Sequence, residues 1–168
     1  MKFWKTVASK LKEAGHVQAD FDDKKIGLLF CGGESLKHWI TLNAMKKLNR
    51  RFGAVVDSDR ASPLHNIPER KNNWKRQCEA QGGVFFILRK REIENYLHPN
   101  AIKRSSRLAS VYDDFTDMKA VFGDNVWKII RDMSCDEILE RDVYIESGVE
   151  HHELKEIVQR LLALPDTK

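Results

Sequence analysis

The chain is 168 residues long, 42% apolar and 32% charged, with a net charge of +4. This length carries one domain with a sizeable core and excludes two large independent ones, and no stretch reaches the apolar length of a membrane span. The positive balance permits contact with a polyanion without demanding it, while Cys31, Cys78 and Cys135, widely spaced and without CxxC or Cys/His ligand spacing, read as reduced thiols.

The amino terminus, MKFWKTVASKLKEAG, mixes lysines with apolar residues and lacks the continuous apolar core of a signal peptide, so the chain is expected to be cytoplasmic. Phe3, Trp4, Val7, Ala8 and Leu11 recur at helical spacing, with Gly15 as the stop. Residues 26–31, IGLLFC, form the continuous apolar run of a strand buried on both faces. Gly32 and Gly33 then turn the chain into a helix over 34–49, with Leu36, Trp39, Ile40 and Met45 toward the core. A second strand over 52–56 ends at Asp57-Ser58-Asp59. Residues 61–73, with Pro63 and Pro68, read as a loop, 74–80 as a helix ended by Gly82-Gly83, and 84–88 as a third strand. This alternation predicts right-handed βαβ units, an α/β fold with an open parallel sheet flanked by helices. Beyond Leu97 the patterns turn helical, over 98–108, 111–122, 125–133 and 150–164, with 142–145 as a short edge strand. Residues 1–25 thus read as an N-terminal helix and lead-in, 26–100 as the core, and 101–168 as a helical extension packed on it.

Two of the apolar runs deliver acids at their C-terminal ends, Asp57 and Asp59 after one, Glu92 and Glu94 after the next. In an extended DSD both aspartates face the same side, so their carboxylates can converge on one hard cation. Mg2+, which takes oxygen ligands octahedrally and keeps positions open for water and phosphate, suits such a set. Aspartates after a strand also solubilise turns, and glutamates at a helix start also favour its dipole. Position separates the readings, because ligands of open α/β sheets bind outside the carboxyl ends of the strands. Glu92 and Glu94 are moreover interleaved with Ile93, Tyr96 and Leu97, the setting of buried acids that need a partner. Basic residues recur nearby: Lys46, Lys47, Arg50, Arg51, Arg60, Lys71, Lys75, Arg76, Arg89, Lys90 and Arg91. They read either as a solvated face or as a groove making salt-dependent phosphate contacts. His38 is expected at the core edge, and His65 and His98 lie near the acidic motifs.

The segments VVDSDR and KREIENYL resemble the Toprim domain of the OLD (overcoming lysogenization defect) family nucleases, over about residues 26–100, and REIENYL is the more specific of the two. The resemblance implies a Toprim-like core, similar in fold to the catalytic part of topoisomerases and bacterial primases. It further implies a Mg2+- or Mn2+-dependent endonuclease that nicks or cuts DNA, often in defence against phage. On that reading Asp57, Asp59, Glu92 and Glu94 hold the metal, and Lys90 or Arg91 steadies the scissile phosphate. Arg60, Arg89, Arg91, Lys75 and Arg76 contact the nucleic acid. Toprim domains carry a glutamate after their first strand, typically as Glu-Gly. Here Gly32 stands at that position, and Glu34, two residues later, is expected as an auxiliary ligand or base. The Gly32-Gly33 pair at a helix start is alternatively a phosphate cradle. OLD nucleases usually join this domain to an ABC-type ATPase, whereas this sequence has no GxxxxGK[ST] loop, so the ATPase is expected as a separate subunit or a missing domain. A degenerate Toprim module that binds or regulates a partner ATPase, and an RNA-processing Toprim protein, are the competing readings.

Overall fold

The computed structural model describes residues 2–31, 33–41, 44–105, 112–122 and 126–164. The fold is mixed α/β. Its centre is a parallel pair, β1 (Gly53–Val56) and β2 (Val84–Ile87), in register from Gly53 opposite Val84 to Val56 opposite Ile87. The pairing extends one bond at each end, from Val84 N–H to the Phe52 carbonyl at 3.1 Å and from Leu88 N–H to the Val56 carbonyl at 2.9 Å. The crossover between the strands is α4 (Glu69–Ala80), which begins at Glu69 rather than at the expected residue 74, directly after Pro68. It stops where Gly82 takes φ +84, a left-handed conformation that glycine adopts without strain.

Two apolar clusters sandwich this pair, and the period-2 alternation of the strands explains both. Ala54, Val56, Phe85 and Ile87 face a smaller cluster with Leu36 and Ile40 of α2 (Gly33–Thr41) and Cys78 of α4. Val55, Val84 and Phe86 face the larger one. That cluster collects Phe3, Val7 and Leu11 of α1 (Lys2–Glu13), Tyr96 and Leu97, and Ile102 of α5 (Pro99–Ser105). Ile129 and Ile130 of α7 (Val126–Asp132) and Leu154, Ile157 and Val158 of α9 (Glu153–Ala163) complete it. The expected helix over 34–49 is α2 followed by α3 (Ala44–Leu48), with residues 42 and 43 outside the described residues.

The expected strand over 26–31 does not form, which corrects the three-stranded sheet to two strands. Ile26 and Leu28 pack on the larger cluster and Cys31 on the smaller one, so this run crosses between the clusters instead of following the edge of β1. Leu29 and Phe30 are left 64% and 76% exposed. The expected helix over 111–122 is helical only in α6 (Met118–Phe122), and residue 111 lies outside the described residues. Ahead of α6 the chain turns around Asp113, whose carboxylate accepts from Phe115 N–H and the Thr116 hydroxyl at 2.9 Å each. The expected edge strand is one arm of an antiparallel hairpin, β3 (Val143–Glu146) with β4 (Val149–His152). Ser147 at φ +53 and Gly148 at φ +78 close it, both in the left-handed region that a two-residue hairpin turn requires. β4 takes residues expected to open the last helix, and α8 (Cys135–Asp142) is a helix the sequence pattern did not predict. No helix among the described residues is long and apolar enough to cross a membrane.

Candidate functional site

The site is built by tying the turn after β1 to the segment after β2. Ser58 is fully buried and its hydroxyl donates to the Lys90 carbonyl at 2.7 Å, while Asp59 N–H donates to the Arg91 carbonyl at 3.0 Å. In the opposite direction Ile93 N–H donates to Asp57 Oδ1 at 3.1 Å. Residues 93–96 form a single 3-10 turn, entered from Glu92, whose N–H donates to the Asn95 side chain at 3.1 Å. The fully buried Asn95 then donates to the carbonyls of Asp113 and Thr116 at 3.1 and 3.0 Å, which fixes the loop leading into α6. Tyr96 hydrogen-bonds Glu153 at the start of α9, and Leu97 is buried in the larger cluster. Each residue of REIENYL thus has either a structural partner or a carboxylate facing the site.

Asp57, Glu92 and Glu94 come together around the ammonium of Lys119 on α6. Lys119 Nζ lies 2.7 Å from Glu92 Oε2, 3.4 Å from Asp57 Oδ2 and 3.7 Å from Glu94 Oε2. Burial pushes the Glu94 carboxyl up to about 6, and Glu94 Oε2 is a buried oxygen that makes no hydrogen bond. Burial also raises Asp57 above the usual carboxylate range, against the opposing pull of Lys119 and of Ile93 N–H. For Lys119 burial alone would lower the pKa, but its bond to Glu92 and the charges of Asp57, Glu94 and Glu92 outweigh that and raise it. Lys119 carried no sequence signal, since a lone lysine in MKAVF has no motif spacing to link it to acids some 25 and 60 residues upstream.

The remaining predicted site residues are placed elsewhere. Asp59 departs from the expected extended backbone, with φ +59, and its carboxylate is ion-paired to Lys71 and, at 3.6 Å, to Arg70. The buried Lys71 also donates to the Asp57 carbonyl at 2.5 Å, so it clamps the turn from behind. The two aspartates therefore do not converge. Lys90 is buried, pairs with Asp114 at 2.7 Å and sits 5.1 Å from the Tyr96 ring centroid, with burial lowering its pKa. Arg91 Nε lies 3.5 Å from Glu92 and its terminal nitrogen 3.0 Å from Asp117, at the site's edge. Arg89 turns to the hairpin, stacking over Tyr144 at 3.6 Å and pairing with Glu146 at 3.2 Å. Arg60 donates to the Arg89 carbonyl and lies over the Phe115 ring at 5.1 Å. Lys75 and Arg76 project from α4 beside Glu79 and Glu69. Glu34 is in the first turn of α2, and its side chain, like Gly32, lies outside the described residues. His38 is exposed rather than at the core edge, and His98 is held by Glu140 at 2.9 Å.

Among the described residues no three His, Cys, Asp or Glu side chains are gathered as a ready-made ion site. The side chains around Lys119 present carboxylate oxygens, the donor type that hard divalent cations prefer, and the buried Glu94 Oε2 makes no hydrogen bond, with Lys119 Nζ 3.7 Å away. Comparison with protein-family models, with curated proteins and with solved structures gives no match. The functional reading therefore rests on this geometry together with the resemblance carried by VVDSDR and KREIENYL.

Proposed function

We propose that the chain is a Mg2+- or Mn2+-dependent phosphodiesterase that nicks or cleaves DNA, with a Toprim-like arrangement of β1, α4 and β2. The observation that carries the reading is the convergence of Asp57, from the end of β1, with Glu92 and Glu94, from just after β2, on one cationic position. This is the carboxyl edge of the parallel pair, where α/β sheets place their ligands. Asp57, Glu92 and Glu94 would hold the cation, which when bound supplies an activated water and neutralises charge on the phosphate. Asp57 keeps one oxygen on Ile93 N–H, so its other oxygen is held in a fixed direction. Arg91, at the site's edge beside Glu92 and Asp117, would be the cation that steadies a phosphate at the rim, since Lys90 is buried against Asp114. Lys75 and Arg76 on α4 would contact the backbone of a nucleic acid by exchanging Glu79 and Glu69 for phosphates. An ABC-type ATPase as partner, in defence against phage, belongs to the same reading.

A second reading, a degenerate module that binds or regulates a partner ATPase, is favoured by two features. Asp59 is engaged by Lys71 and Arg70, and Gly32 stands where a glutamate is expected. Incubation with supercoiled plasmid separates the two. The enzyme reading expects open circles in Mn2+ or Mg2+ and none after chelation with EDTA, read on an agarose gel. Supercoiled DNA left intact in both metals would leave the regulatory module as the better account.

A further inference from the structure

Lys119 differs from the other cations near the site in how it is held. Lys71 and Lys90 have side chains only 5% and 9% exposed, each tied to a main-chain or side-chain partner inside the fold. The Lys119 side chain is 56% exposed, whereas the Glu92 and Glu94 side chains it contacts are 6% and 9% exposed. Its neighbour Met118 is fully buried, which anchors the backbone of α6, while the lysine stem lies toward solvent. The Lys119 ammonium, with Arg91 Nε 3.5 Å from Glu92 on the other side, faces three carboxylates, so the cations are outnumbered. A divalent cation takes carboxylate oxygens at about 2.1 Å, and the point within reach of Asp57, Glu92 and Glu94 together is where the Lys119 nitrogen lies, so a cation held by all three takes that nitrogen's place.

Resting on the metal-dependent reading above, we propose that Lys119 is a resident counter-cation of the site. Its ammonium and a divalent cation compete for Asp57, Glu92 and Glu94, and metal entry expels the lysine into solvent. Glu92 and Glu94 are buried and Asp57 is fixed by Ile93 N–H, so the carboxylates remain, while the lysine swings out through its exposed side. The device keeps the buried Glu92 and Glu94 and the half-buried Asp57 compensated until the cation arrives, and it sets the threshold concentration at which the site loads. Glu94 Oε2, without a hydrogen bond, is the oxygen that gains most by the exchange.

Two measurements on the full chain test this. Calorimetric titration with Mn2+ is expected to show about tenfold tighter binding to Lys119→Met than to the unaltered chain, the scale of one charged hydrogen bond removed from the competition. Acetylation of the unaltered chain by an N-hydroxysuccinimide ester, followed by peptide mass spectrometry, separates displacement from a mere change in local charge. Saturating Mn2+ is expected to raise the rate at Lys119 several-fold and to leave the exposed Lys103 unchanged. Mn2+ binding that is equal or weaker in Lys119→Met, or a Lys119 acetylation rate indifferent to Mn2+, would overturn the displacement while leaving the metal site standing. Absence of Mn2+ binding in both proteins would overturn the metal-dependent reading and this proposal with it.

Discussion

Asp57→Asn is expected to lower divalent-cation-dependent nicking of plasmid DNA by at least about 100-fold, the scale on which removal of one preorganised charge-stabilising group acts, with the far-ultraviolet circular dichroism unchanged. The substitution is chosen for what it preserves. Asp57 Oδ1 accepts from Ile93 N–H at 3.1 Å, the bond joining the end of β1 to the segment after β2, and an asparagine oxygen can accept the same bond. What is lost is the negative charge on the oxygen facing Lys119 at 3.4 Å. Loss of activity with an intact fold therefore reports the charge rather than the scaffold. Nicking at the unaltered rate would mean that the carboxylate cluster is not where the chemistry occurs.

Glu153→Ala is expected to lower stability by about 3 kcal/mol, or roughly 6–12 °C in Tm for a chain of this length. Glu153 is buried at the first turn of α9 and joins two parts of the fold. Its Oε1 accepts from Arg89 N–H at 2.8 Å at the end of β2, and its Oε2 accepts from the Tyr96 hydroxyl. Truncation leaves two donors without an acceptor in the interior, where an unmade hydrogen bond costs the desolvation of the group. Burial raises the pKa of Glu153 itself, and the Tyr96 hydroxyl is pushed well above its ordinary value by burial and by that carboxylate. Differential scanning calorimetry checks the prediction. A Tm within 2 °C of the unaltered chain, well below that expected range, would show that water or a rearranged Tyr96 replaces the carboxylate at little cost.

The parts of this fold legible in the sequence are those whose signal is local. GAVV and VFFI are short β-branched and aromatic runs bounded by glycine and polar residues, and both form strands in the parallel order expected. IGLLFC has the same local signal, yet its residues divide between two clusters, a tertiary choice that composition does not record. The helix α8 carries a local signal at its start: Ser134 accepts from Glu137 N–H at 3.1 Å and Glu137 accepts from Ser134 N–H at 2.9 Å, the Ser-x-x-Glu capping box. The Ser147-Gly148 turn that splits 143–152 into a hairpin is a recognisable turn pair hidden between residues of mixed character.

For the site, the spacing of DSD and REIENYL brought out Asp57, Glu92 and Glu94 because strand ends place them along one edge. The same spacing misjudged Asp59, since the alternation argument assumes an extended chain and Ser58, locked to the Lys90 carbonyl, turns the backbone after it. Lys90 and Lys71 could not be told from surface lysines by sequence, because their burial depends on Asp114 and Asp59 reaching them from other segments. Lys119 belongs to the same class of residue, one whose role is set only by the folded arrangement.

On the proposed function, Asp57, Glu92 and Glu94 hold one divalent cation at the carboxyl edge of the parallel pair. Electron paramagnetic resonance, counting free Mn2+ during a titration, tests it without reference to activity. The account expects saturable binding in the unaltered chain and its loss in the double substitution Glu92→Gln with Glu94→Gln. Equal uptake of Mn2+ by both proteins, or none by the unaltered chain, would contradict it.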